Sequence, residues 1–206
     1  MKHRPISDKG FPVPYFVRKI DGQWDFRVVD PDRLVKCHRY NQCWLCGERL
    51  GQYLAFVVGP MCSVNRISSE PPSHLECAEY AVRACPFLTK PRMRRNDKDL
   101  PHDGWTPGLA IEHNPGATLI WVTKSYHAVK DGLGGVLFQF DDPISVQWYA
   151  EGRAARRDEI LAAFDKGLPY LRKTTVGFPE AAAALDQKLA EAMKLVPPAL
   201  PEPQGT

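Results

Sequence analysis

The sequence predicts an α+β protein: a cysteine-bearing module set among β elements, then a small antiparallel β-sheet with C-terminal helices. Three observations lead there. All six cysteines of the 206-residue chain fall between Cys37 and Cys85. Short runs of β-branched and aromatic residues, separated by Gly, Pro, Asn and Asp, recur before and after that stretch. The final third turns to helical spacing of apolar residues, with Leu185, Leu189 and Met193 four apart.

Residues 1–10 are polar and read as disordered. Residues 11–36 read as a β-hairpin and a short helix. Tyr15–Ile20 and Gln23–Val29 flank Asp21-Gly22, a two-residue hairpin turn. That register sets Val17 opposite Phe26, Arg18 opposite Asp25 and Lys19 opposite Trp24. Asp30-Pro31 reads as an N-cap followed by proline at the first helical position, so a helix is expected to run to Tyr40.

Residues 37–90 form the module. They contain Cys-Trp-Leu-Cys-Gly at 43–47 and Ser-His-Leu-Glu-Cys at 73–77. Structural zinc takes four ligands in a tetrahedron and prefers thiolate sulfur and imidazole nitrogen. Cys43 and Cys46 supply two sulfurs from one tight turn, which Gly47 relieves. Ser73 with Glu76 three residues on matches a capping box, so a helix is expected with His74 at its first position and Cys77 one turn later. Pro86 ends it near Cys85. Leu75, Ala78, Val82 and Cys85 make an apolar stripe fit to pack on a strand at Tyr53–Val58. The expected cofactor is one structural Zn2+ ion, with Cys43, Cys46, His74 and Cys77 as ligands. Cys37, His38, Cys62 and Cys85 stand outside this set, and a second metal site among them is left open.

A knuckle, a hairpin and a helix that brings the last ligands is the order of the treble-clef zinc fingers, and the chain resembles that class over about residues 37–86. It also resembles uncharacterised proteins encoded in bacterial and phage genomes that share the Cys-Trp-x-Cys-Gly and His-x-x-Cys-Ala-Glu-Tyr wording. That second resemblance implies no function.

Residues 91–103 read as a basic linker. Residues 104–196 read as an antiparallel sheet plus two helices. Strands are expected at Leu109–Glu112, Thr118–Thr123, Val136–Phe140 and Val146–Ala150, joined in sequence order as a meander. The first helix is expected at Ala154–Lys166, stopped by Gly167, and the second from Pro179 to about Leu195. Residues 197–206 read as a disordered tail.

Function is less legible. The net charge of +3 is too small to imply nucleic acid by itself. No apolar run has signal or membrane length, so no membrane partner and a cytoplasmic location are expected, where clustered cysteines favour metal over disulfides. The expectation is a zinc-stabilised, non-enzymatic binding or adaptor protein. Nucleic acid is the first partner considered, through Arg94, Arg95, Arg156 and Arg157. One alternative is a protein–protein regulator or inhibitor of a host or phage machine, with Trp44, Tyr53 and Trp105 as anchors. Another is a zinc-dependent hydrolase or deaminase-like enzyme, because Cys77-Ala78-Glu79 resembles deaminase wording. In that family, however, the Cys-x-x-Cys comes later and the site keeps an open ligand position. No catalytic residue is assigned. His113, His127 and Asp141-Asp142 read as surface and turn residues.

Overall fold

β1 (Val17–Ile20) and β2 (Gln23–Val29) form the expected hairpin, and Asp21 and Gly22 both adopt positive φ in its turn. Arg18 faces Asp25 and Lys19 faces Trp24, but a bulge shifts Val17 to Val29 instead of Phe26. These positions come from a computed structural model that describes residues 1, 3–96, 98–100, 113–131 and 134–199. The strand expected at Leu109–Glu112, and Trp105, lie outside the described residues. Near the N-terminus, Ser7 N donates to Phe11 O and Arg4 Nε donates to Val13 O.

α1 (Pro31–Arg39) starts as its sequence dictates, with the Asp30 carboxylate accepting from the backbone of Asp32 and Arg33. β3 (Leu54–Val58) follows the cysteine-bearing hairpin. Several elements were not anticipated, among them α2 (Pro60–Asn65), opened by Pro60, and the two-residue β4 (Ile67–Ser68). Arg66 between them is left-handed, with φ 55°. α3 (Leu75–Ala84) runs into the short α4 (Pro86–Thr89). Asn114 ties the next segment to α4 by donating to the carbonyls of Phe87, Leu88 and Lys90, while its side-chain oxygen accepts from Gly116 N.

β5 (Thr118–Thr123), β6 (Tyr126–Lys130), β7 (Val136–Phe140), β8 (Ser145–Ala150) and β9 (Arg153–Ala154) do not form a meander in sequence order. β5 lies between β3 and β8, and β9 extends that sheet, whereas β7 joins β4 and β6 in a second one. Every residue of β5 is buried, so it is a central strand covered on both faces. Its pairing with β3 over five residue pairs joins the cysteine-bearing half of the chain to the second half. The chain is thus mixed α and β with antiparallel sheets and six helices among the described residues.

α5 (Arg157–Lys173) runs past the expected stop at Gly167. Gly167 is a packing residue there: a Cβ would meet Met61 Cγ of α2 at 2.6 Å. α6 (Pro179–Met193) packs Leu185 and Ala192 on the same core. One core lies between β3, β5, β7 and β8 and the helices α2, α5 and α6. On the opposite face, Ala78 and Val82 of α3 cover Ala55, Ile120 and Val122, with Leu75 beside them. The stripe foreseen on α3 therefore fixes that helix to the sheet. No helix among the described residues is long and apolar enough to cross a membrane.

The start of α5 holds a carboxylate that the sequence reading passed over. Glu159 accepts from Arg156 N at 2.8 Å and from both terminal nitrogens of Arg153, at 2.6 and 2.9 Å. The Arg153 hydrogen bonds, with the N–H of Arg156, pull its pKa down to about 2. A depressed folded-state pKa means that the stabilisation is complete above the ordinary carboxylate range and is lost as pH falls through about 2. Glu159→Gln is expected to lose about 1 kcal/mol at pH 7. Urea titrations at descending pH should show its gap to the parent protein closing below about pH 4.

Candidate metal centre

Cys43, Cys46, His74 and Cys77 come together, and their ligand atoms all lie within 4.8 Å of one another. Backbone hydrogen bonding explains how. Gly47 N donates to Cys43 O at 2.8 Å, and Cys43 N donates to Glu48 O at 2.7 Å, closing a tight knuckle. Gly47 turns it with φ +85°, and a Cβ there would come within 2.7 Å of the Tyr15 ring. Gly47→Ala is expected to lose about 2–4 kcal/mol, from left-handed strain and the ring clash together. It should also release metal to a chelator sooner, which a colorimetric chelation assay would follow.

The second ligand pair differs from expectation in one respect. His74 is the N-cap of α3, not its first helical residue, and no side chain caps the helix. Ser73 is used otherwise: its backbone exchanges hydrogen bonds with Ala55 of β3, at 2.8 and 2.9 Å. That pairing holds residue 73 extended, so helical geometry begins only at Leu75. His74 and Cys77 still converge on the knuckle, and β3 positions both.

The donor geometry suits a tetrahedral ion. Cys46 Sγ lies 3.4 Å from His74 Nδ1. A zinc tetrahedron with bonds of about 2.3 Å to sulfur and 2.0–2.1 Å to nitrogen has edges of roughly 3.5–3.8 Å. His74 Nε2 lies 3.0 Å from Arg49 O, a contact that places the proton on Nε2 and turns Nδ1 toward the sulfurs. The Cys43 sulfur receives Cys46 N at 3.5 Å and His74 N at 3.4 Å. A hydrogen bond from Cys77, reinforced by these amides and that of Leu45, draws the Cys43 pKa down to about 4. Its partner Cys77 is pushed up by sharing that hydrogen bond and by burial. Burial chiefly raises Cys46. Three sulfurs this close cannot all ionise unless a cation lies between them, so the charge pattern fits a divalent metal.

No other such cluster occurs among the described residues. Cys37 is buried, and its thiol, 3.9 Å from Cys43 O, is pushed up to about 12 by burial. Burial also raises Cys62, to about 11, and Cys85. Those three behave as packing thiols. Glu79 forms an ion pair with Arg83 one turn on.

No protein-family model, curated protein or solved structure matches the chain. Its function therefore rests on its own residues.

Each of the four arginines singled out in the sequence has a partner in the chain. Arg94 pairs in a short antiparallel bridge with His113. Arg95 donates to Arg27 O. Arg156 meets Asp158 and Glu159, and Arg157 donates to Pro197 O. Trp44 is buried and stacked on Phe16 with ring centroids 4.9 Å apart, so it is no surface anchor. His127 and Ser125 both approach the Asp141 carboxylate, and Asp142 pairs with Arg66.

Proposed function

We propose that Cys43, Cys46, His74 and Cys77 hold one structural zinc ion in a treble-clef-like arrangement, and that the protein is a non-enzymatic binding or adaptor protein for nucleic acid. The observation that carries the metal part is the donor set: three sulfurs and one oriented imidazole nitrogen lie within 4.8 Å of one another, the number and kind of donors a closed structural zinc site takes. Zinc held this way shapes a surface; it does not activate water. Six unpaired cysteines suit a reducing, cytoplasmic setting.

Support for nucleic acid is the basic balance of the first fifty residues. Residues 1–50 hold ten Lys and Arg against six Asp and Glu, whereas residues 101–150 hold two against five. The test is binding of labelled mixed-sequence oligonucleotides across a salt series, with Arg94, Arg95, Arg156 and Arg157 changed to Ala. Affinity should fall as salt rises, with a slope of about 0.7–0.9 per phosphate contacted. Asp158 and Glu159 already hold Arg156, so its removal should change the slope least of the four. Absence of binding at low salt would remove nucleic acid as the partner. A protein partner is favoured by one observation, the exposed apolar residues Tyr170, Val176 and Phe178 around the α5–α6 connection. Its binding would show little salt dependence.

A further inference from the structure

The segment before β1 folds back on itself and returns to the candidate metal centre. Its turn is closed by hydrogen bonds from Ser7 N to Phe11 O and from Gly10 N to Ser7 O, each 2.8 Å. Val13 N donates to Pro5 O at 2.7 Å, and Ile6 forms an antiparallel bridge with Pro12. The outgoing limb is firmly fixed. Val13 is fully buried, Tyr15 N donates to Leu45 O of the knuckle at 2.8 Å, and the Tyr15 ring lies against Gly47. The incoming limb has less to hold it, with His3, Pro5 and Ile6 all exposed. Two side chains dock it. Met1 is half-buried against the cluster of Cys43, Leu45, Leu50, Leu54 and Cys77. Arg4 donates from Nε to Val13 O at 2.8 Å and from Nη2 to Pro14 O at 3.5 Å, which pins one limb to the other.

Charge acts in the same direction. The guanidinium groups of Arg4 and Arg33 lie over the Tyr15 ring, 5.5 and 5.1 Å from its centre. Burial and the neighbouring Arg33 lower the Arg4 pKa, whereas Tyr15 and Cys46 raise it, so Arg4 lies within electrostatic reach of a ligand sulfur. One zinc ion with three thiolates and a neutral imidazole carries a net negative charge, which a cation outside the donor set offsets. Cys43 and Cys77 are buried, but Cys46 and His74 are only half-buried, so solution reaches the donor set through those two. A limb with so few buried groups opens locally at far lower cost than the sheets do.

We propose that Met1 and residues 3–13 are a strap over the metal centre, latched by Arg4, and that opening of the strap sets how fast the ion exchanges with solution. Closed, the strap keeps competing ligands away from Cys46 and places a positive charge beside the donor set. Open, it uncovers that sulfur while the sheets and α3 stay folded. The proposal rests on the reading of Cys43, Cys46, His74 and Cys77 as a zinc site and adds a control over it.

The experiment is transfer of zinc from the full chain to excess pyridylazoresorcinol, a chromogenic chelator, followed by absorbance across a series of low urea concentrations. Arg4→Ala, Arg4→Lys and Ile6→Ala are compared with the parent, each loaded with one zinc. Ile6 is 63% exposed and serves as the control on the same limb. Arg4→Ala should release zinc about tenfold faster, as the loss of two hydrogen bonds of ordinary net strength implies. Arg4→Lys keeps the charge without the fork and should fall between the two. Ile6→Ala should match the parent. In all four proteins release should rise only slightly with urea, because strap opening exposes little surface. Release from Arg4→Ala at the parent's rate would overturn the strap and leave the zinc site standing. So would release that climbs with urea as steeply as global unfolding does. A parent chain that holds no zinc would overturn both readings at once.

Discussion

Cys43→Ser and Cys77→Ser are each expected to lose the metal and to unfold the segment around it. The core that Cys43 and Cys77 join is small, with Leu45, Leu50 and Leu54 as its other buried members. So few apolar side chains cannot offset the ordering of a knuckle, a hairpin and a helix start. In small zinc peptides the ion contributes about 10–16 kcal/mol at pH 7, as much as the whole net stability of an ordinary domain. Cys43 should be the more sensitive position, since the amides of Cys46 and His74 converge on its sulfur. The damage should spread, because Leu54 opens β3 and Ser73 pairs with Ala55. Elemental mass spectrometry should find one zinc per chain in the parent and none in either variant, with the thermal transition lost or lowered by tens of degrees. Zinc uptake at pH 7 should release protons, since the cysteine sulfurs bind the ion as thiolates. Calorimetry in two buffers of different ionisation heat would count them. Variants that keep one metal and the parent's melting curve would refute the assignment.

Trp121→Ala should be nearly as damaging, at a site away from the metal. Trp121 is in the middle of β5, between Phe56 of β3 and Val146 of β8. Its ring meets Phe140 at 4.9 Å, the Arg66 guanidinium lies over it at 5.6 Å, and its Nε1 donates to Asp141 O at 2.9 Å. Truncation removes the largest side chain of the central strand, opens a cavity between the two sheets and strips Asp141 of a partner. The expected loss is about 3–5 kcal/mol. For a chain of this size that is a fall of roughly 6–20 °C in Tm. Trp121→Phe keeps the ring contacts and should lose about half as much. The folded fraction of both variants should still carry one metal, which separates this effect from ligand loss.

Local signals in the sequence were legible wherever one residue has one job. Asp21-Gly22, Asp30-Pro31 and the four ligands each encode their own geometry, and the structure uses them as read. What the sequence hid is set by distant partners. Ser73 carries a good capping side chain, yet its backbone is held by Ala55, so the helix begins later. Gly167 has the composition of a helix stop, but Met61, over a hundred positions earlier, needs the space that a side chain would take. The order of strands in the sheets was hidden for the same reason: β5 alternates apolar residues on both faces and names no neighbour. The clustering of Cys43, Cys46, His74 and Cys77 was therefore readable, while the partners that Glu159 and the Arg27 carbonyl supply to Arg156 and Arg95 were not, because they leave no mark at the arginine itself.

The pairing of Leu54 with Thr123 has a consequence for the order of events during synthesis. All four proposed ligands precede β5 in the chain, so on the zinc proposal an ion would be captured before the sheet exists. At about 5–20 residues per second, the interval between the emergence of Cys77 and that of Thr123 is roughly 2–9 s. Throughout it the edge of β3 that later receives β5, with Ala55, Phe56 and Val58 along it, has no strand to bond. On the zinc proposal, an ion bound to the nascent chain would anchor that edge through Leu54 and Ser73, so that a strand otherwise prone to aggregate becomes a template that waits for its partner.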